Sequence, residues 1–214
     1  MDQPTEQPAT PEPAPAHNLS YPIAEHPISH FLRFMYEIIK TVVVVLVVAL
    51  IIRYFLVQPF IVDGSSMEPT FHNHEYLIVE KVNYTVHTPA RGDIIVFKYP
   101  LNPSLNYVKR VIGVPGDRVT IGDGKVTVYN NSYPNGLQLR EPYLQEDQIT
   151  KVNGEEKDRT WVVDDNRYFV MGDNRDHSDD SRSWGLVPKE NIVGRAWMTI
   201  YPVYDFGTVE HATY

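Results

Sequence analysis

The sequence predicts a mostly β protein, an antiparallel β-sheet domain following a single N-terminal transmembrane helix. Three observations carry that expectation. An apolar run of membrane length lies near the N-terminus, the chain beyond it breaks into short β-branched and aromatic runs, and Gly, Pro, Asn and Asp punctuate those runs. A length of 214 residues holds one domain with accessories, not two sizeable ones. The formal charge of −8 argues against a general phosphate-binding surface, so no nucleic-acid partner is expected. With no cysteine, neither a disulfide framework nor a thiolate zinc site is available, and core packing alone must hold the domain together.

Residues 1 to about 22 are rich in Pro, Ala, Gln, Glu and Thr and poor in large apolar side chains. Such a segment cannot bury enough surface to offset its ordering entropy, and disorder is expected. From Ile38 to Val57 only Lys40 and Arg53 are charged. At about 1.5 Å per residue this run spans about 30 Å, the thickness of a bilayer's hydrocarbon core. The strictly uncharged part, Thr41 to Ile52, is shorter, so Lys40 and Arg53 should snorkel to opposite interfaces. Arg33 and Lys40 precede the run and Arg53 follows it, which favours a cytoplasmic amino terminus. The expected organisation is a disordered cytoplasmic tail over 1–30, a membrane anchor over 31–59 and an extracytoplasmic β domain over 60–214, in a single-pass protein of the cell membrane.

Beyond Pro59 strands are predicted at Tyr76–Val82, Asp93–Tyr99 and Asn106–Val114, the last closed by Pro115-Gly116-Asp117. Arg118–Ile121 and Lys125–Tyr129 flank Asp123-Gly124, a two-residue hairpin signal. Residues 131–160 are polar and turn-rich and read as inserted loops. Strands are expected again at Trp161–Val163, Arg167–Met171 and Asn191–Val203, with no amphipathic helix after the anchor.

Three stretches carry chemistry. Asp63-Gly64-Ser65-Ser66-Met67-Glu68-Pro69-Thr70 presents two hydroxyls on a Gly-initiated turn. A serine hydroxyl is protonated at neutral pH and needs a base within reach to become a nucleophile. Tyr107-Val108-Lys109-Arg110 offers one, since strand alternation places Lys109 and Arg110 on opposite faces and one of the two must point inward or into a cleft. Burial lowers a lysine pKa toward a neutral amine, whereas arginine stays protonated. The third stretch, Gly172 to Arg182, is dense in Asp, Arg and Ser. As a calcium loop counted from Asp176 it has Ser181 for the sixth-position Gly and Val187 for the twelfth-position Glu, so an ion-paired structural loop is the better reading. His72 and His74 lack further ligands in the sequence and read as exposed loop histidines, with no metal site expected.

In this order the three stretches resemble the motif set of the type I signal peptidases. Ser66-Met67 with Pro69-Thr70, Lys109-Arg110 with Gly113 and Pro115-Gly116-Asp117, and Gly172-Asp173-Asn174-Arg175-Asp176 with Ser178, Asp180-Ser181-Arg182 and Trp184-Gly185 carry the resemblance, over roughly residues 40–205. It implies Ser66 as nucleophile and Lys109 as general base, with Ser178 hydrogen-bonded to the lysine and Asp180 and Arg182 bracing the loop. It also implies an apolar cleft lined by Val62, Met67, Phe71, Tyr107 and Val108, which would admit the small side chains preceding a signal-peptide cut. At Gly64 some members carry a serine that helps hold the oxyanion. Its absence leaves the backbone N–H groups, chiefly that of Ser66.

The resulting expectation is a membrane-anchored serine endopeptidase that removes signal peptides from preproteins and needs no cofactor. Its partners would be those preproteins and the lipid bilayer. The rival expectation is a membrane-tethered β binding module whose motifs are only structural.

Overall fold

The computed structural model describes residues 27–51, 56–81, 84, 87–145, 148–152 and 158–214. The proline-rich tail to residue 26 and Arg53, expected at the far interface, lie outside them. The chain divides into two compact units, residues 1–46 and 47–214.

Helix α1 runs from Pro27 to Ile51. Pro at the first helical position costs no hydrogen bond and presets the backbone angle. His30–Ile51 is long and apolar enough to cross a membrane, and none of this window is buried inside the protein. The helix therefore starts earlier than the apolar run. Lys40 pairs with Glu37 at 3.4 Å, one turn back on the same face. The far end also differs, because Val57–Pro59, expected to close the anchor, belongs to strand β1, Val57–Ile61.

Twelve strands follow α1 among the described residues, in two sheets with antiparallel pairings throughout. The larger sheet has the order β1–β2–β11–β3–β4–β9–β10, with β12 beside β11. Its members are β1, β2 (Tyr76–Glu80), β3 (Ile94–Tyr99), β4 (Asn102–Gly113), β9 (Arg167–Met171), β10 (Val187–Pro188), β11 (Ile192–Tyr201) and β12 (Gly207–Thr208). Pro59 lacks an amide donor and is tolerated in β1 because that strand lies at the sheet edge. The smaller sheet is β7 (Leu137–Gln138), β6 (Lys125–Tyr129), β5 (Arg118–Gly122) and β8 (Arg159–Val162). Asp123 and Gly124 both take positive φ, 49° and 74°, the two-residue turn predicted between β5 and β6.

The 131–160 region departs from an all-loop reading. It supplies β7 and buries Leu139, Thr150 and Val152, the two apolar ones in the cluster around Ile112, Val119, Val128, Phe169 and Met171. A second cluster packs Val62, Met67 and Phe71 against Leu77, Ile94 and Ala196. The short helix α2, Ser181–Trp184, is a single turn capped by Asp180, whose side chain accepts from the Arg182 amide.

Candidate active site

The Ser66 turn is built from its anchors outward. Met67 is fully buried and Phe71 nearly so, both in the second core cluster, so the chain between Val62 and Leu77 is pinned from beneath. Gly64 takes φ 105°, a conformation that L side chains rarely adopt, and its N–H donates to Asn73 Oδ1 at 2.8 Å. Phe71 N donates to Met67 O and Glu68 N to Ser65 O, which closes the turn over Ser66.

Strand β4 brings both cations of the Lys109-Arg110 pair inside, on opposite faces. Lys109 is 4% exposed and Arg110 1%. Lys109 Nζ lies 2.7 Å from Ser66 Oγ and donates to its neighbour's carbonyl, Val108 O, at 3.0 Å. Burial lowers the Lys109 pKa from 10.5 to about 8, against the opposing pull of Asp180, Asp179 and Asp173. On the other face, Arg110 donates to Asp173 through Nε at 2.9 Å and Nη2 at 2.6 Å. Asp173 also accepts from Thr70 Oγ1 at 2.5 Å. One buried carboxylate thereby ties the strand that carries Lys109 to the serine turn.

The loop after β9 completes the surround. Asn174 N donates to Ser66 O and its side-chain Nδ2 to Ser65 O, each at 3.1 Å. A Cβ added at Gly172 would sit 2.3 Å from Ser66 O, so only glycine lets this loop approach the serine so closely. Asp180 accepts from the Gly172 amide at 3.0 Å and from Arg182 Nε at 2.8 Å, and Arg182 Nη2 reaches Arg175 O at 2.7 Å. Arg175 is buried and bonds to Glu141 and Thr150.

Two expectations need correction. Ser178 Oγ is buried without a hydrogen-bond partner, instead of bonding to Lys109. Its neighbour Asp180 is held by the Gly172 amide and Arg182, which sets the loop so that the serine faces Gly172. The apolar cleft also differs from its expected lining. A depression of about 260 Å³ touches Ser66 and Lys109 and includes Val62, Tyr107 and Val108, but its remaining apolar wall is Phe60, Ile61, Leu77 and Val96. Met67 and Phe71 lie behind it in the core because they anchor the turn.

Sequence reasoning missed Asp173, Thr70 and Asn174 as parts of the site, and the contribution of β1 to the cleft. The first three lie within the quoted motifs, but partners more than a hundred positions apart leave no local signal. Among the described residues no group of three or more His, Asp or Glu side chains is placed to hold a metal ion.

A buried lysine amine on a serine hydroxyl is a known arrangement for peptide hydrolysis. A family model described as "Signal peptidase, peptidase S26" matches residues 35–201. The chain belongs to this signal peptidase family. It is 40% identical over 214 residues to a signal peptidase I of Leptolyngbya laminosa, covering 96% of this chain and 94% of that one. It is 39% identical over 174 residues to signal peptidase I S of Bacillus subtilis (strain 168), covering 76% and 87%. A crystal structure of a signal peptidase I from Enterococcus faecalis V583 is 34% identical, covers 51% of this chain and 97% of its own, and has a TM-score of 0.42. Membership of the family makes the chain a serine peptidase, a hydrolase whose substrates are preproteins bearing signal peptides. The binding-module expectation is set aside on that ground.

Proposed function

We propose that the chain is a single-pass membrane endopeptidase in which Ser66 and Lys109 form the catalytic dyad. The observation that carries this reading is the 2.7 Å approach of the buried Lys109 amine to Ser66 Oγ, with the amine pKa drawn down to about 8. A neutral amine there accepts the serine proton as Oγ attacks the carbonyl carbon of the scissile bond. The Lys109 ammonium then gives that proton to the departing amine nitrogen. The C–N bond breaks, leaving an ester on Ser66 and a free mature protein. In the second half Lys109 takes a proton from water, the resulting hydroxide attacks the ester, and Ser66 leaves with the proton returned. The Ser66 backbone N–H is the main donor to the oxyanion in both halves. Asp180 and Arg182 hold the loop that closes over the amine, and Ser178 lies in that loop.

Val62, Tyr107 and Val108, with Phe60 and Ile61, form the site for the residues before the cut. Helix α1 is the anchor, the amino terminus lies in the cytoplasm and the β domain outside it. The bilayer is the second partner, and nucleic acid is none.

The test is cleavage of a preprotein by the detergent-solubilised chain. Ser66→Ala, Lys109→Ala and Lys109→Arg should each lower kcat by about 10⁴-fold or more, whereas Ser65→Ala should keep much of the activity. Because a raised proton occupancy of Lys109 blocks the base, kcat/KM should climb with pH and level off above about 8. If Lys109→Arg cleaves nearly as well as the parent, Lys109 is not the base.

A further inference from the structure

We infer that a polar groove beginning at Ser65 receives the stretch of substrate that follows the scissile bond, and that it favours a basic residue there over an acidic one. The inference rests on the cleavage proposed above. Of the depressions that border the serine turn, one reaches Ser66 and another Ser65, while a third, against Pro69 and Thr70, reaches neither. The first, apolar, touches Ser66 and Lys109. The second, of about 500 Å³, is lined by Ser65, Glu68, Gln148, Asn174, Asp176 and His177 among others, and shares no residue with the first.

A polypeptide crossing a peptidase site passes the attacking oxygen as one continuous chain, so what enters along one depression leaves along another. The two depressions differ in the same sense as the substrate. The residues before the cut close an apolar signal segment and suit the apolar wall. Those after it begin a water-soluble mature protein, whose peptide groups and side chains need hydrogen-bond partners on leaving water. Amides and carboxylates supply them.

The polar groove is also fixed to the reacting centre. Asn174 lines it while bonding to the carbonyls of Ser65 and Ser66, and the His177 ring Nδ1 lies 3.2 Å from Asn174 Oδ1. A displacement of the groove edge would therefore move the peptide that carries Ser66. Glu68 and Asp176 bring formal negative charge to this lining, and among the described residues no Lys or Arg stands in it. His72 lies 4.0 Å from Glu68 and is largely exposed. Glu68 is partly buried and Asp176 exposed; charges so open to solvent interact modestly, so the two carboxylates together should bias the substrate by about three- to tenfold.

The experiment uses the full chain in detergent and a set of preproteins with one shared signal peptide. They differ only at the second and third residues after the cut, set to Lys, Gln or Glu. In the parent, kcat/KM for the Lys substrate should exceed that for the Glu substrate by about three- to tenfold. The ratio should fall to near one in a Glu68→Gln, Asp176→Asn double variant and reverse in a Glu68→Lys, Asp176→Asn double variant. Each ratio is taken within one preparation, so a loss of folded enzyme cancels. A ratio near one in the parent, or one the double variant leaves unchanged, overturns the groove assignment and leaves the cleavage reading standing. If the parent cleaves none of the set, the cleavage reading falls and the groove with it.

Discussion

Gly64 concentrates the balance between backbone and side chain at this site. A Cβ there meets no atom within 4 Å, so a serine would fit by volume. The obstacle is the backbone, because φ 105° lies outside the regions open to L residues. Gly64→Ser should therefore shift the turn that carries Ser66 and lower preprotein cleavage, with a loss of stability of about 1 kcal/mol or more. Paired kcat and urea-unfolding measurements check this, and a gain in kcat at unchanged stability would show that the added hydroxyl reaches the oxyanion. Lys109 poses the complementary case. Its amine sits where desolvation disfavours charge, while Asp180, Asp179 and Asp173 pull the other way. Its pKa of about 8 reflects that contest, won by burial.

Elements matter here through what they tie together. The C-terminal segment beyond β12 crosses the domain as a strap, with Val209 N donating to Trp197 O at 2.9 Å. Burial holds the His211 pKa down at about 4, so its neutral ring accepts from Ile94 N at 3.1 Å. Tyr214 OH meets Tyr143 OH at 2.7 Å, and the Tyr143 ring lies 3.8 Å from the Arg110 guanidinium. Arg110 in turn holds Asp173, the carboxylate that ties β4 to the serine turn. Removing residues 209–214 strips one strand amide of its partner and uncovers apolar surface. The expected cost is about 2–4 kcal/mol in urea unfolding, with kcat lowered further than the folded fraction accounts for. A truncation that leaves both unchanged would make the strap a passive cover.

At the scale of the whole molecule the helix and the β unit answer to different solvents. The apolar residues of α1 are exposed along its length, Val42 to Leu46 each at about half of their surface, which only a partner or a lipid phase makes favourable. The β unit has its own core clusters. Deleting residues 1–55 keeps β1 whole, and the product should fold and cleave a soluble peptide substrate while losing rate on preproteins held in vesicles. Flotation with vesicles and far-UV circular dichroism check the two halves. Val203, Tyr204 and Phe206, exposed at 80%, 86% and 62%, should leave some residual vesicle binding. A deletion product as tightly bound as the full chain would mean that α1 is not the main anchor.

The apolar run, the strand alternation and the Asp123-Gly124 hairpin were legible in the sequence because each is a local pattern with a fixed period or a fixed turn geometry. The positions of Ser66 and Lys109 were legible as residue types, but not their meeting. Alternation says only that Lys109 and Arg110 face opposite ways, and it left open which was inside. Tertiary packing put both inside, with Ser66 receiving one and Asp173 the other. It also moved Met67 and Phe71 from the expected cleft into the core, left Ser178 without its expected lysine, and put Val57–Pro59, expected at the end of the anchor, into an edge strand. Each of these depends on which distant segment arrives to satisfy a buried polar group or cover an apolar one. That choice is made among partners far apart along the chain, where no short-range period records it.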